Sequence, residues 1–203
     1  MEVKPSYHYK PADVACEYCV EWRHRRCQAN GCPWLAEQIE AGVVSYASAV
    51  RELFGGVADE AFIARLGLLV LNFRGSFWLD REHEFNTRLL LRSVGYQAWR
   101  NPRFFASLYL FGSNRGLLKR AWNACMPGGF EPGYMVMRGV LEHDYTLIQA
   151  AKAITGNDSG LSFEDLADAE AVDDTAFQLI VNALLIANYG ADVLKLGGTE
   201  ITY

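Results

Sequence analysis

Four cysteines near the start constrain this 203-residue chain more than any other feature, because their spacing limits what its first part can fold into. The pattern is Cys-x2-Cys-x7-Cys-x4-Cys, formed by Cys16, Cys19, Cys27 and Cys32. Zinc prefers four thiolates in a tetrahedron, and a Cys-x2-Cys pair supplies two of them from one tight turn. We therefore predict a structural zinc site, for which His24 is a substitute ligand. A disulfide pair and unlinked thiols are the alternatives.

The loop inside this cysteine pattern is basic. Loops of this kind can hold phosphates or the acidic face of a partner, and the predicted contact residues are Trp22, Arg23, Arg25 and Arg26. In the alternative interpretation, the arginines are solvated and the tryptophan covers the small core of the module. Five aromatic residues exceed what such a module can bury, so we expect some to pack on the rest of the chain or to meet a partner: Tyr7, Tyr9, Tyr18, Trp22 and Trp34.

Helical signals dominate the rest of the sequence. Capping residues precede runs with apolar side chains at helical spacing, and glycines often end them. The caps are Ser45, Asp59, Asp80, Asn101, Ser162 and Asp173. The predicted helices cover a run that starts at Pro33 and is ended by Gly42, residues 46–54, 60–73, 81–94, 102–111, 115–125 and 142–154, a short segment after Ser162, and 174–189. One weak alternation, Tyr134 to Val140, indicates a short strand.

The fold class predicted from this pattern is mainly α, a helical bundle-like domain with an N-terminal four-cysteine zinc-knuckle module and at most a short β element. The predicted domains are residues 1–35 and 36–203, with a possible hinge in the Pro/Gly-rich stretch 126–133. The helix from Phe62 to Phe73 is apolar most of the way round, so we expect it to be central to the core.

Charge is distributed unevenly. Residues 140–203 contain eleven acidic and two basic residues, a net charge of −9, whereas residues 36–139 have a net charge of +3. Bulk attraction to nucleic acid is therefore not expected. The start lacks an apolar leader and no apolar stretch is long enough to span a bilayer, so the expected location is the cytoplasm, without membrane association.

The acidity is concentrated between Asp158 and Asp174, which include seven carboxylates and no basic residue. One interpretation is a surface that imitates nucleic-acid phosphate or docks on an arginine-rich partner. The other is that Asp165 and Asp173 cap helices and the remaining carboxylates are solvated. If the segment is a contact surface, the predicted residues are Glu164, Asp165, Asp168 and Glu170.

Catalytic patterns are weak. Glu142-His143-Asp144 places a histidine between carboxylates, but consecutive helical side chains diverge by about 100°, so the three cannot converge on one atom. His83 also lies among acidic residues, without any metalloprotease or esterase motif. Cys125, the fifth cysteine, has no visible activating neighbour and is expected to be a buried structural thiol. No catalytic residues are predicted.

Several stretches resemble small uncharacterised proteins from mobile elements of gut bacteria. They are the cysteine pattern with the following Pro33 to Tyr46, residues 101–106, and residues 173–183. This resemblance implies an accessory gene of a plasmid, conjugative element or phage. Such cargo includes proteins that act by binding, among them anti-CRISPR inhibitors, and it brings no catalytic residues to this chain.

The function expected from the sequence is therefore non-enzymatic binding of a protein or nucleoprotein, and its most concrete version is inhibition of a host defence system. Two alternatives remain open: a zinc-knuckle regulator that binds nucleic acid through Arg23, Arg25 and Arg26, and a small hydrolase or nuclease that depends on His83 or His143.

Overall fold

We describe the fold from a computed structural model, which describes residues 22–24, 26–27, 34, 38–39, 42 and 44–197. Within these residues the elements follow the predicted order, and the helix predicted from Pro33 lies mostly outside them. The helices are α1 (Tyr46–Phe54), α2 (Glu60–Asn72), α3 (Arg81–Val94), α4 (Pro102–Gly112), α5 (Arg115–Ala121), α6 (Glu142–Ile154), α7 (Phe163–Ala167) and α8 (Asp174–Tyr189). Short 3-10 turns cover Tyr96–Arg100, Pro132–Tyr134 and Ala191–Gly197.

The β structure consists of two small antiparallel hairpins. Strands β1 (Trp22–Arg23) and β2 (Arg26–Cys27) form the first, and β3 (Cys125–Met126) and β4 (Gly129–Phe130) form the second. The mainly α prediction is therefore confirmed. The strand predicted at residues 134–140 is wrong: a 3-10 turn and an irregular loop occupy that stretch, and the β3–β4 hairpin lies just before it.

Side-chain caps begin the helices where the sequence predicts. Asp59, Asp80 and Asn101 each accept a hydrogen bond from the backbone N–H three residues later. Ser45 and Ser162 form capping boxes, and Asp173 caps α8 in the same way as the other aspartates. Each of these bonds satisfies a helix-end N–H that has no partner within its helix, so local chemistry alone fixes these boundaries.

The centre of the core is α4, and α3, α6 and α8 pack around it. Every residue from Phe104 to Gly112 is buried. The packing against α3 is close at Gly112, where an added Cβ would lie 2.1 Å from Thr87 Oγ1 and 2.8 Å from its backbone nitrogen. The sequence prediction that Phe62 to Phe73 is the central helix is wrong. Helix α2 lies at the edge, and only Phe62, Arg65 and Leu66 of it are buried.

A buried polar network links this core to the loop between α2 and α3. Tyr46 donates to Asn182 Oδ1 over 2.8 Å, and Tyr109 donates to the carbonyl of Phe77 in the loop. The Asn182 amide lies 3.3 Å from Tyr109 Oη. Buried polar groups are tolerated when they are paired, so this network ties α1, α4 and α8 to one loop conformation.

Candidate interaction surfaces

The predicted zinc site lies mostly outside the described residues. Cys16, Cys19 and Cys32 are not among them, and Cys27 is described only as part of β2. Within the part of the chain that the structure describes, no three His, Cys, Asp or Glu side chains are close enough to hold a metal ion. The zinc site therefore stays a prediction.

The basic loop is described in part. Trp22 pairs with Cys27 and Arg23 with Arg26 across the β1–β2 hairpin, and His24 in the turn has a positive φ of 51°. A two-residue turn with positive φ matches the twist of a tight hairpin. Arg23 is exposed, whereas Arg25 lies outside the described residues.

Much of the acidic segment has a structural role. Asp165 completes the capping box of α7 with Ser162, and hydrogen bonds from that serine lower the pKa of its carboxyl group. Asp168 accepts a hydrogen bond from the backbone of Glu170. Glu164 and Glu170 are exposed. Two of the four predicted acidic contact residues therefore shape their own backbone, and the other two face solvent.

Arg65 holds this acidic segment to the helical body. Its guanidinium donates to the carbonyls of Leu166, Asp168 and Val172 over 2.9, 3.2 and 2.5 Å. It also contacts the Asp174 carboxylate at 2.9 Å and lies over the Phe177 ring, 4.4 Å from its centroid. The side chain is only 9% exposed, so one buried cation fixes the α7–α8 connection.

The first candidate catalytic histidine, His83, is a core residue. It is fully buried, receives a hydrogen bond from the Leu79 N–H on Nδ1, and places Nε2 2.8 Å from the Tyr109 carbonyl. Both ring nitrogens are therefore occupied. Burial lowers the pKa of His83 to about 4, although the Tyr109 carbonyl and nearby carboxylates favour the charged form. A neutral, enclosed imidazole of this kind has no access to a substrate.

The second histidine, His143, is half-buried, and its Nδ1 lies 2.5 Å from Asp173 Oδ2. Partial burial raises the pKa of Asp173, but bonds from His143 and the Ala176 N–H outweigh this effect and lower it overall. Neither histidine lines any of the clefts described below. Cys125 is buried, as the sequence predicts, and burial raises the pKa of its thiol to about 12. The geometry therefore supports no acid–base site at these residues.

A cleft of about 640 Å³ lies beside the α2–α3 loop and is lined mostly by polar side chains. Arg74 and Arg81 line it together with Asp80 and Glu84. Asp80 caps α3 and Glu84 pairs with Arg88, so both carboxylates are already engaged. The opposed charges leave the cleft without a clear preference for anions or cations.

Seven exposed apolar side chains that the sequence analysis missed lie between residues 122 and 145. Among the described residues, thirteen large apolar side chains are exposed, and seven of them belong to this stretch. We call them the apolar loop surface: Trp122, Met126, Tyr134, Val136, Met137, Leu141 and Tyr145. Six apolar side chains within eight residues, Tyr134 to Leu141, were the available signal, but the alternation was interpreted as a strand.

One arginine, Arg120, holds the loop of residues 134–141 in place through hydrogen bonds. Arg120 donates to the carbonyls of Val136, Arg138 and Gly139 over 2.6, 3.0 and 2.9 Å. The Val140 N–H closes a turn on the Met137 carbonyl at 3.3 Å, with Gly139 at a φ of 68°. A residue with positive φ suits the third position of such a turn, which glycine adopts without strain. The exposed side chains are therefore presented by an ordered loop.

A second apolar surface is the outer side of α2, which we call the α2 face: Ile63, Gly67, Leu68 and Leu71. Leu68 is 62% and Leu71 81% exposed. After Glu60, the helix has one charged residue, Arg65, and it is buried. This polarity is the reverse of an ordinary surface helix, which buries apolar residues and exposes charged ones. Next to this face, α1 and α2 enclose an apolar groove of about 450 Å³ lined by Val50, Phe54, Ile63 and Val70, among others.

No protein-family model, curated protein or solved structure matches this chain. Within the described residues, no helix combines the length and the apolar character that crossing a bilayer requires.

Proposed function

We propose that this protein is a non-enzymatic binding protein and that its partner is another protein, contacted through the apolar loop surface. The observation that supports this most strongly is the bracing of the loop by Arg120. Three charge-assisted hydrogen bonds hold a loop whose Tyr134, Val136 and Leu141 side chains are 65%, 63% and 72% exposed. Large apolar patches on a soluble surface mark interaction sites.

The order of the loop favours binding, because a partner does not have to immobilise it. Ordering a loop and its side chains on binding costs about 0.5–1.5 kcal/mol for each immobilised side chain. Arg120 removes part of this cost before the partner arrives. Loop residues that are both fixed and exposed are typical of recognition sites on a rigid scaffold.

The composition of the surface favours a protein over a small molecule or nucleic acid. Trp, Tyr and Met are enriched in the buried centres of protein interfaces, and this surface has one Trp, two Tyr and two Met. Nucleic-acid surfaces are instead dominated by positive charge. The neighbouring exposed charges are mixed, with Lys119 and Arg138 against Glu131 and Glu142.

The amount of apolar area sets a limit on the role of this loop. Tyr134, Val136, Met137 and Leu141 expose the equivalent of between two and three whole side chains. Burying them contributes about 4–7 kcal/mol before association costs, whereas a nanomolar complex requires about 12 kcal/mol net. The loop is therefore proposed as the anchor of a larger interface. The exposed Glu164 and Glu170 are candidates for its polar rim.

The more specific form of the proposal is an accessory protein of a mobile element that inhibits a host defence system, comparable to an anti-CRISPR protein, in the cytoplasm. The resemblance in residues 16–46, 101–106 and 173–183 supports it. In this form the partner is a defence protein or nucleoprotein, and a structural zinc bound by the four cysteines holds the N-terminal module.

The experiment is purification of complexes from a lysate of the cell that carries the gene, followed by binding of the purified partner to purified variants. Val136→Asp with Leu141→Asp places two charges on the loop and should weaken binding at least 100-fold. Phe85→Asp, on an α3 position that is 63% exposed, is the matched control and should bind like the parent chain. A partner that binds the loop variant as tightly as the control would refute the proposal.

A second pair of variants tests the role of the hydrogen bonds from Arg120. Arg120→Gln removes the guanidinium bonds to the three loop carbonyls and should weaken binding about tenfold, since the partner must then order the loop. Lys119→Gln makes the same change of charge one residue earlier, on an exposed position. Equal effects of the two variants would show that charge, and not loop order, is responsible.

One observation favours a second candidate function, nucleic-acid binding by the β1–β2 hairpin. Its register sets Arg23 opposite Arg26, so two basic residues occupy paired positions of the hairpin, and positive charge is what phosphate contacts require. This function predicts salt-dependent binding of RNA or DNA that the combined Arg23→Ala, Arg25→Ala and Arg26→Ala variant abolishes. Binding that persists in this variant would exclude the hairpin as the site.

A further inference from the structure

We infer that the α2 face and the adjoining α1–α2 groove are the docking site of the N-terminal segment of this same chain, residues 1–33. This inference is independent of the proposed function, because it uses a different surface. The structure describes only residues 22–24 and 26–27 of that segment. The exposed side of α2 is uncharged, because Arg65, the single charged residue beyond the first turn of this helix, is buried.

The course of the chain before α1 leads towards this site. Gln38 is buried, and the Val44 N–H donates to its carbonyl over 3.4 Å. Ile39 and Val44 line a cleft together with Val70 and Phe73 from the end of α2 and the residue after it. Thirty-three residues therefore precede a stretch that lines one cleft with the C-terminal end of α2.

The segment has the length and the side chains to cover the face. Helix α2 spans about 20 Å, which about six extended residues can follow. Pro5 and Pro11 favour an extended backbone over residues 1–15, and the segment contains Tyr7, Tyr9, Tyr18 and Trp22. Aromatic side chains bury the largest apolar areas, and a module held by four cysteines has little core of its own to receive them.

Tethering decides between this segment and a second copy of the chain. A segment attached to the body by a short linker reaches an effective concentration in the millimolar range. A second copy competes only at its own concentration, which is far lower in a cell. If the two contacts have equal intrinsic affinity, the contact within one chain therefore forms at concentrations too low for the contact between two chains.

The test is site-specific photo-crosslinking in the full-length protein. Benzoylphenylalanine at position 71 should crosslink to residues 1–33 within one chain, identified by mass spectrometry of the monomer band. The same probe at Leu141, which is similarly exposed, is the control and should give no such crosslink. Crosslinks from position 71 only between two chains would assign the face to a second copy and overturn the inference, and so would the absence of any crosslink to residues 1–33.

A proteolysis measurement tests the same contact without a probe. Leu68→Asp with Leu71→Asp should speed tryptic cleavage within residues 23–26 about tenfold. The loss of one buried leucine contact alone shifts the equilibrium between the docked and the undocked segment by about that factor. Both positions are exposed in the helical body, so circular dichroism and melting should confirm that the body still folds. Phe85→Asp and Val136→Asp should leave the cleavage rate unchanged. An unchanged rate in the α2 variant would contradict the inference, whatever the outcome for the apolar loop surface.

Discussion

Replacing Arg65 by methionine tests how the acidic segment is attached. Methionine keeps a long apolar side chain but removes the hydrogen bonds to three backbone carbonyls. Leu166 and Val172 are buried, so their carbonyls would lose a partner away from water, at a cost of about 1–3 kcal/mol each. Asp168 is exposed, and water can replace the bond there. The cation over Phe177 contributes about 1 kcal/mol more.

We expect Arg65→Met to lower the free energy of unfolding by about 4 kcal/mol, or roughly 10 °C in Tm for a chain of this length. Urea denaturation followed by circular dichroism measures the free energy, and an unchanged m-value shows that the comparison is valid. The loss is large because total stabilities are only about 5–15 kcal/mol.

Asp174→Asn is the matched control, because it removes the ion pair and leaves the carbonyl bonds. The Asp174 side chain is 93% exposed, so this pair contributes at most about 1 kcal/mol. The reasoning fails if Asp174→Asn costs as much as Arg65→Met, or if Arg65→Met costs less than about 1 kcal/mol. Either result would mean that the buried guanidinium is not what holds residues 166–174.

Three further predictions concern other parts of the molecule. Folding lowers the pKa of His83 to about 4, so the unfolded chain binds more protons than the folded chain between about pH 6.5 and 4. The free energy of unfolding should therefore drop by about 3 kcal/mol as the pH falls through that window. Urea titrations of His83→Gln should find no such drop. Gly112→Ala should lower the free energy of unfolding by about 2 kcal/mol, because the added methyl group meets the Thr87 backbone. Gly67→Ala, where the added methyl group has open space, should leave the free energy of unfolding unchanged or raise it. Equal effects of the two substitutions would contradict this packing. Elemental analysis should find one zinc per chain, and a chelator should lower Tm; metal-free protein with an unchanged melt would refute the zinc site.

The helix boundaries are the part of the fold that the sequence predicted best. Ser45, Asp59, Asp80 and Asn101 cap the helices that they were expected to cap. A cap bonds to a backbone N–H only three residues away, so its effect is contained in a few neighbouring residues. One boundary was wrong: the helix predicted to reach Cys125 ends at Ala121, because the chain turns there into the β3–β4 hairpin.

The candidate sites depended on contacts between distant residues. The sequence placed His83 among carboxylates and left a catalytic role open, but Tyr109, 26 residues away, encloses it. Arg120 donates hydrogen bonds to a loop 16 to 19 residues further on, and no local pattern indicated that its guanidinium would reach that loop. The predicted contact residues Glu164 and Glu170 are exposed, but nothing local showed that Arg65 anchors their segment from about 100 residues away.

The sequence by itself determined the helical class, the order of the elements and the positions of their caps, because hydrophobic period and capping act over a few residues. Only the tertiary structure decided which apolar helix is central. Periodicity measures how apolar a helix is and not how many neighbours cover it: α4 is enclosed by three helices, whereas the equally apolar α2 has neighbours on one side. That difference leaves Leu68 and Leu71 exposed, and it creates the surface that the N-terminal segment is inferred to cover.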